Sequence, residues 1–369
     1  MHTQHIIFFG TIIAIVIFIK RRNHMIDLRS DTLTIPSDEM LRTILSAKLG
    51  DDGRVDENGR GEDLSVNELE NMAARLTGKD EGVLFSSGTL ANTAAILTYC
   101  NPGDKVLVDE ILHIYKSEKV AFEKSVGQLV PVIYKLNEKN KPDIQHLRQL
   151  MEKNDIKLLC IENTHNFSGG VCLDENDLKE IHELAKEFNI HVHMDGARLF
   201  NAAASLNADP KDLCKYVDSL MFCISKGLGA PIGSLLCGNK EFIKKLRKKR
   251  RLLGGNMRQA GVIAAPGIYA LKHNIEKLKT DNENAKYVSD NIRDLKKTKV
   301  QDLVQSNIVM LDVSSTGLST EEYCETAKKR GLWIRPVLEN KVRLVFYNGI
   351  NRKDADEVIK IIRDIEDSI

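Results

Sequence analysis

Three short stretches of this chain place chemically capable side chains at the ends of apolar runs. In MFCISKGLGAP (221–231) an apolar, β-prone run delivers Lys226 between Ser225 and Gly227. A lysine drawn out of water has a lowered pKa, and its amine becomes nucleophilic toward a carbonyl. The plainer account is a lysine that reaches back to solvent from a strand end. In HVHMDGARLF (191–200), alternate residues of a strand share a face, so His191, His193 and Asp195 point the same way. That set suits a zinc or iron site. It equally suits Asp195 alone, as a buried anion holding a protonated ring nitrogen, or a core strand whose histidines bond to backbone. The spacing does not choose among the three. In GVLFSSGTLANTAA (82–95) a strand runs into Ser86, Ser87, Gly88 and Thr89, and then a helix. The free N–H groups and positive dipole end of that helix would cradle a phosphate. Neither a G-x-x-x-x-G-K-[ST] loop nor a G-x-G-x-x-G turn is present, so a nucleotide is not the obvious guest.

Together these features meet the three demands of pyridoxal phosphate: an amine for its aldehyde, an acid for its pyridinium nitrogen and a seat for its phosphate. The elements that must position them alternate regularly. Apolar runs at 82–86, 105–109, 130–134, 157–162, 190–195, 220–225 and 233–237 predict seven strands. Amphipathic stretches between them, such as 65–78 and 174–189, predict helices. The pattern is that of an α/β protein with a mainly parallel sheet covered on both faces. After about residue 263 a long helical stretch, three short β-prone runs and a final helix predict a small α+β domain. The expected organisation is an N-terminal extension (1–24), a large cofactor-binding domain (25–262) and a small C-terminal domain (263–369).

IDLRSDTLTIPSDEM (26–40), SSGTLAN, DEILHIY (109–115), IENTHNFSGG (161–170), HMDGARLFNAA, CISKGLGAPIGSLLCG and LLGGNMRQAG follow one another in order. In these blocks the chain resembles the threonine aldolases, fold-type-I pyridoxal-phosphate enzymes of the β-eliminating lyase group. The resemblance implies that Lys226 carries the cofactor as an imine and that Asp195 pairs with its pyridine nitrogen. It seats the phosphate on Ser87, Gly88 and Thr89, and stacks His113 on the ring, where it also acts on the substrate hydroxyl. Ser30, Arg198 and Arg343 would hold the substrate carboxylate. Arg258 would reach the phosphate from a neighbouring subunit, in a homo-oligomer built as a dimer of dimers. The implied reaction is retro-aldol cleavage of a β-hydroxy-α-amino acid to glycine and an aldehyde. The alternatives are a β-eliminating lyase, a metal-dependent hydrolase on His191, His193 and Asp195, and a silent cofactor-holding scaffold. The chain departs from the family at GDDGRVDENGRGED (50–63), where six residues are inserted and Arg60 replaces a tyrosine. It departs again at Tyr347, in place of a histidine, and in a loop before IENTHN that lacks one. These changes are expected around the substrate side chain.

The 369 residues carry a formal charge of +1, so no global field favours nucleic acid or anionic membranes. The basic run KKLRKKRR (244–251) is read as a solvated helix face. Seven scattered cysteines without a C-x-x-C pair suit reduced core thiols in a cytoplasmic protein. Residues 6–19 are almost wholly apolar, yet short of the roughly 20 that span a bilayer. The reading is a cytoplasmic protein whose translation starts at Met25; the alternative is a membrane anchor through 6–19.

Overall fold

A computed structural model describes residues 25–369, so the apolar stretch 6–19 lies outside the described residues. Among the described residues no helix is long and apolar enough to cross a membrane. The chain opens on a two-residue strand, β1 (Ile26–Asp27). The large sheet then takes β2 (Glu81–Phe85), β3 (Lys105–Asp109), β4 (Val130–Tyr134), β5 (Ile156–Glu162), β6 (His191–Asp195), β7 (Ser219–Cys223) and β8 (Ser234–Gly238). All seven expected strands form, in the order β2-β8-β7-β6-β5-β3-β4. β8 pairs antiparallel with both β2 and β7, whereas β3 through β7 pair in parallel. The ten-residue link from β7 to β8 carries no helix, and without a crossover element only an antiparallel return is open to it. That link is the loop that bears Lys226.

Apart from the edge strand β4, whose Val130 and Ile133 are exposed, the strands are buried on both faces, as a doubly covered sheet requires. Leu84, Leu159, Met194 and Phe222 pack into a core on one side. Val83, Phe85, Met221 and Leu236 fill the other, and Val106, Val108, Leu158 and Cys160 extend it toward β4. The helices start where side chains can take their free N–H groups. Asp63 caps Leu64–Thr77, which stops at Gly78 in the left-handed region, and Asp174 with Asp177 forms a capping box on Glu175–Glu187.

A second core gathers Ile26 and Leu28 with Val288, Val309, Leu311, Val342, Leu344 and Ile362. It lies on an antiparallel sheet formed from β9 (Lys299–Val300), β10 (Ile308–Asp312), β12 (Arg335–Leu338) and β13 (Lys341–Val345), ordered β12-β13-β10-β9. β11 (Leu332–Trp333) pairs in parallel with β1. The residues just after β1 leave this two-stranded pair, and Asp31 reaches Arg198, just past the end of β6 in the large sheet.

Candidate active site

Five chemically capable side chains stand at or just past the carboxyl ends of the large sheet's strands. Ser87 follows β2, His113 follows β3, Glu162 ends β5, Asp195 ends β6 and Lys226 follows β7. The crevice at this edge is where open α/β sheets bind ligands. Here it is a cavity of about 260 Å³ lined by Ser30, His113, Glu162, Asn166, Phe167, Arg198, Lys226, Arg335 and Arg343, among others. β7 stops at Cys223, so Lys226 sits three residues into the loop rather than on the strand end, and it is half-buried. Gly227 has no room for a side chain, because a Cβ there would stand 2.7 Å from Leu278 Cδ2.

One wall is a guanidinium pair. The Asp31 carboxylate takes Arg198 Nε at 2.6 Å and Nη2 at 2.8 Å, a fork-to-fork pair buried on both sides. Burial works against the charge on Asp31, but Arg198 prevails and holds its carboxyl below the usual range. Asn166 Oδ1 then accepts from Arg198 Nη1 at 3.0 Å and from Arg343 Nη1 at 2.6 Å. Arg343 differs from Arg198 in one respect: no carboxylate of the described chain reaches it. It donates otherwise only to Arg29 O, at 3.3 Å, and its Nε is buried without an acceptor. Burial, then Arg198 and Arg335, pull its pKa down to about 9, which leaves it charged at neutral pH. A buried cation lacking an anion is costly unless a ligand supplies one. Ser30, which caps the turn Asp31–Leu33, lines the same wall.

Acidic groups gather around His113, which lines the cavity. Glu118 Oε1 lies 3.4 Å from His113 Nδ1 and accepts from Thr89 Oγ1 at 3.2 Å. Glu162 accepts from the backbone N–H of His113 and of Asn166, each at 3.0 Å. Burial draws the His113 pKa down, yet the Glu118 contact, Asp195 and Glu162 together raise it. Asp195 Oδ2 accepts from Asn92 Nδ2 at 3.0 Å, and Asn92 Oδ1 meets His193 Nε2 at 3.2 Å. His193 Nδ1 reaches Ser219 Oγ at 2.9 Å, and burial pushes this imidazole down to about 4, so it is neutral.

These contacts overturn the hydrolase alternative. His191, His193 and Asp195 do share a face of β6, but they do not converge on a point. His191 pairs with Asp218 at 3.7 Å and packs on Tyr99, while both His193 nitrogens already have partners. Among the described residues, the group with ligand atoms close enough for an ion is instead His113, Glu118 and Asp195, all within 4.8 Å of one another.

The model of the beta-eliminating lyase family matches residues 27–316. The chain belongs to that family. The low specificity L-threonine aldolase of Escherichia coli (strain K12) is 37% identical over 347 residues, which cover 90% of this chain and 97% of that one. Low-specificity L-threonine aldolase 1 of Arabidopsis thaliana is 32% identical over 340 residues, 89% of this chain and 93% of the relative. The solved Leishmania major threonine aldolase has the same fold at 17% identity, with a TM-score of 0.76 over 92% of this chain and 99% of that one. This member of the beta-eliminating lyases is thus a lyase that works with pyridoxal 5'-phosphate.

The side chains present fit that cofactor. A carboxylate, Asp195, ends β6, and an amine, Lys226, stands in the loop that follows its neighbour β7. The helix Gly88–Tyr99 opens with N–H groups that have no intrahelical acceptor. Ser87 Oγ spends itself on Leu90 N at 3.2 Å, and a Cβ on Gly88 would come within 3.2 Å of Cys223 Sγ and Met221 Cε. Thr89 bonds to Glu118, which meets the cavity-lining His113, while Ser87, Gly88 and Thr89 do not themselves line the cavity. Arg258 stands apart, exposed and paired with Asp51 at 3.2 Å.

Sequence reasoning missed Asp31, Asn166, Glu118, Glu162 and Arg335. Asp31, Asn166 and Glu162 lie inside the quoted R-S-D-T and E-N-T-H-N blocks, which was the available signal. Two expectations also need correction. Arg60 does not approach this chain's own cavity; it bonds to Asn67 and Asn71 on the helix Leu64–Thr77, and Tyr347 does not line the cavity either. The basic run is not wholly solvated. Arg247 and Arg250, on the helix Lys240–Leu252, turn inward to Glu70 at 2.6 Å and to Asp52 at 3.1 Å, so the 50–63 segment packs through Asp52 on that helix.

Proposed function

We propose that this lyase cleaves β-hydroxy-α-amino acids of the threonine and allo-threonine type to glycine and an aldehyde. The observation that carries the reading is Arg343, a buried cation without an anion, facing the same cavity as Lys226. An α-amino acid brings both the carboxylate that Arg343 lacks and the amine that exchanges with Lys226. When bound, pyridoxal 5'-phosphate supplies the electron sink for carbon–carbon cleavage. Lys226 holds its aldehyde, Asp195 its ring nitrogen, and Ser87, Gly88 and Thr89 its phosphate, with Arg258 of a neighbouring subunit as a further phosphate ligand.

Ser30, Arg198 and Arg343 fix the substrate carboxylate. Because Asp31 and Asn166 hold both guanidinium groups, that anchor is set before substrate arrives, and the Cα–Cβ bond is aimed by geometry rather than by search. His113 accepts the β-hydroxyl proton, either directly or through a water it orders. Departure of the aldehyde leaves an electron pair at Cα, which takes a proton to give glycine. The reading includes a cytoplasmic homo-oligomer.

The test is aldehyde release from threonine, allo-threonine, phenylserine and serine, with borohydride reduction of the loaded protein. Reduction is expected to fix a pyridoxyl group on Lys226, and Lys226→Ala to lose both the adduct and the turnover. Normal cleavage by Lys226→Ala would rule out this lysine.

A further inference from the structure

The cavity holds one cation more than threonine needs. Arg198 is matched by Asp31, Arg343 waits for the α-carboxylate, and Lys226 serves the cofactor. Arg335 also lines the cavity, yet among the described residues its side chain has neither an ion pair nor a hydrogen bond. The contrast with Arg29 is instructive. That neighbouring arginine is held by Asp27 at 2.6 Å and lies 3.3 Å over the Trp333 ring, so the chain itself already occupies its guanidinium.

Register makes the surplus sharper. Arg335 begins β12 directly opposite Arg343 on β13, in an antiparallel pair. Side chains so placed have Cβ atoms about 4.5–5.5 Å apart, and like charges there repel. The arrangement is relieved by two anions, or by one anion shared between the two side chains. Asn166 and Ser30 already complete the α-carboxylate end around Arg198 and Arg343, whereas Arg335 is exposed at the mouth, on the strand that edges the small sheet. A methyl or phenyl side chain gains nothing from a guanidinium at that place; a carboxylate does.

We propose that Arg335 binds an anionic group on the substrate's side chain, so that the preferred substrates are β-hydroxy-α-amino acids with an acidic side chain. This rests on the lyase reading above and names its substrate class. With 3-hydroxyaspartate as the probe, the Cα–Cβ bond breaks and its electron pair stays on Cα. The β-hydroxyl loses its proton and becomes the carbonyl of glyoxylate. Cα takes a proton and leaves as glycine. No oxidant or further reactant is needed.

The experiment compares kcat/KM of the cofactor-loaded enzyme for threo- and erythro-3-hydroxyaspartate with threonine and allo-threonine, in wild type, Arg335→Gln and Arg335→Lys. Wild type is expected to favour a 3-hydroxyaspartate by about tenfold or more. Arg335→Gln should shrink that preference by roughly 10- to 100-fold, the worth of a hydrogen bond between charged groups, and Arg335→Lys should restore part of it. Equal losses on both substrate classes would make Arg335 another α-carboxylate ligand, and a wild type that prefers threonine would leave it without this role; either overturns the proposal. Failure to cleave any of the four sinks the lyase reading instead. Arg335 is then judged by titrating the loaded protein with aspartate and with alanine, followed by cofactor absorbance. Tighter aspartate binding that is lost in Arg335→Gln keeps the assignment, and equal binding in wild type ends it.

Discussion

One oxygen of Asn166 serves two guanidinium groups, and this is where a single atom decides the chemistry. An amide oxygen aligns Arg198 and Arg343 without neutralising them, so the charge on Arg343 stays available to a ligand. A carboxylate at that position would keep the shape and satisfy Arg343 internally. Asn166→Asp should therefore raise the amino-acid KM by roughly 10- to 100-fold, with the melting temperature equal to or above that of wild type. Steady-state kinetics with thermal unfolding checks this, and an unchanged KM would remove Arg343 from carboxylate binding. A second residue-scale prediction concerns His113. Glu118, 3.4 Å from its Nδ1, helps raise its pKa, and a raised pKa means that the neutral, proton-accepting form appears only at higher pH. Glu118→Gln removes that charge, so the acidic limb of kcat/KM should move to lower pH. A limb that stays in place would show that His113 is not the group being titrated.

At the scale of elements, the loop from β7 to β8 rests on the helix Leu278–Ile292, and the contact hides an acid. A Cβ on Gly227 would lie 3.6 Å from Asp281 Oδ2, which is buried without a hydrogen bond. Burial, and to a lesser extent Asp31, push Asp281 up to about 8 from an ordinary 3.8. The folded protein thus keeps a proton that the unfolded chain releases, and between those two values stability must fall as pH rises. Asp281→Asn removes the titration, so its melting temperature should drop less than that of wild type between pH 5 and pH 7.5; parallel curves would place the carboxylate in water. The sequence made this level partly legible. All seven large-sheet strands could be read from apolar runs, which burial on both faces leaves unbroken in every strand but the exposed edge strand β4. The reversal of β8 could be inferred only from the shortness of its connection. Lys226, Asp195 and His113 were legible because they end or follow such runs. Glu118 and Arg335 were not, since only the folded loop and the strand register bring them against His113 and Arg343. Asn166 showed only as part of its motif block, because its partners Arg198 and Arg343 lie far away in sequence. The run 244–251 misled for the same reason: Glu70 and Asp52, which bury two of its arginines, lie more than 170 residues earlier.

For the molecule as a whole, Arg258 raises the question of what completes the site. Its side chain is 69% exposed, it lines no part of the cavity that holds Lys226, and among the described residues its one ion pair is with Asp51 at 3.2 Å. The segments around that pair expose Ile35, Leu41, Leu45, Leu49 and Val262, apolar side chains of the kind that a second copy would cover. If Arg258 reaches a neighbour's phosphate seat, then Lys226 and Arg258 of one chain serve two different sites. Mixing unfolded Lys226→Ala and Arg258→Ala chains and refolding them together distinguishes the two geometries. In a mixed dimer one site combines both defects, while the other draws Lys226 from one chain and Arg258 from its partner, and so is wild type. With random pairing, half of the dimers are mixed and each carries one intact site, so activity should recover to about a quarter of the wild-type value. An Arg258 that acts within its own chain allows no such site, and activity would then stay at the average of the two parents.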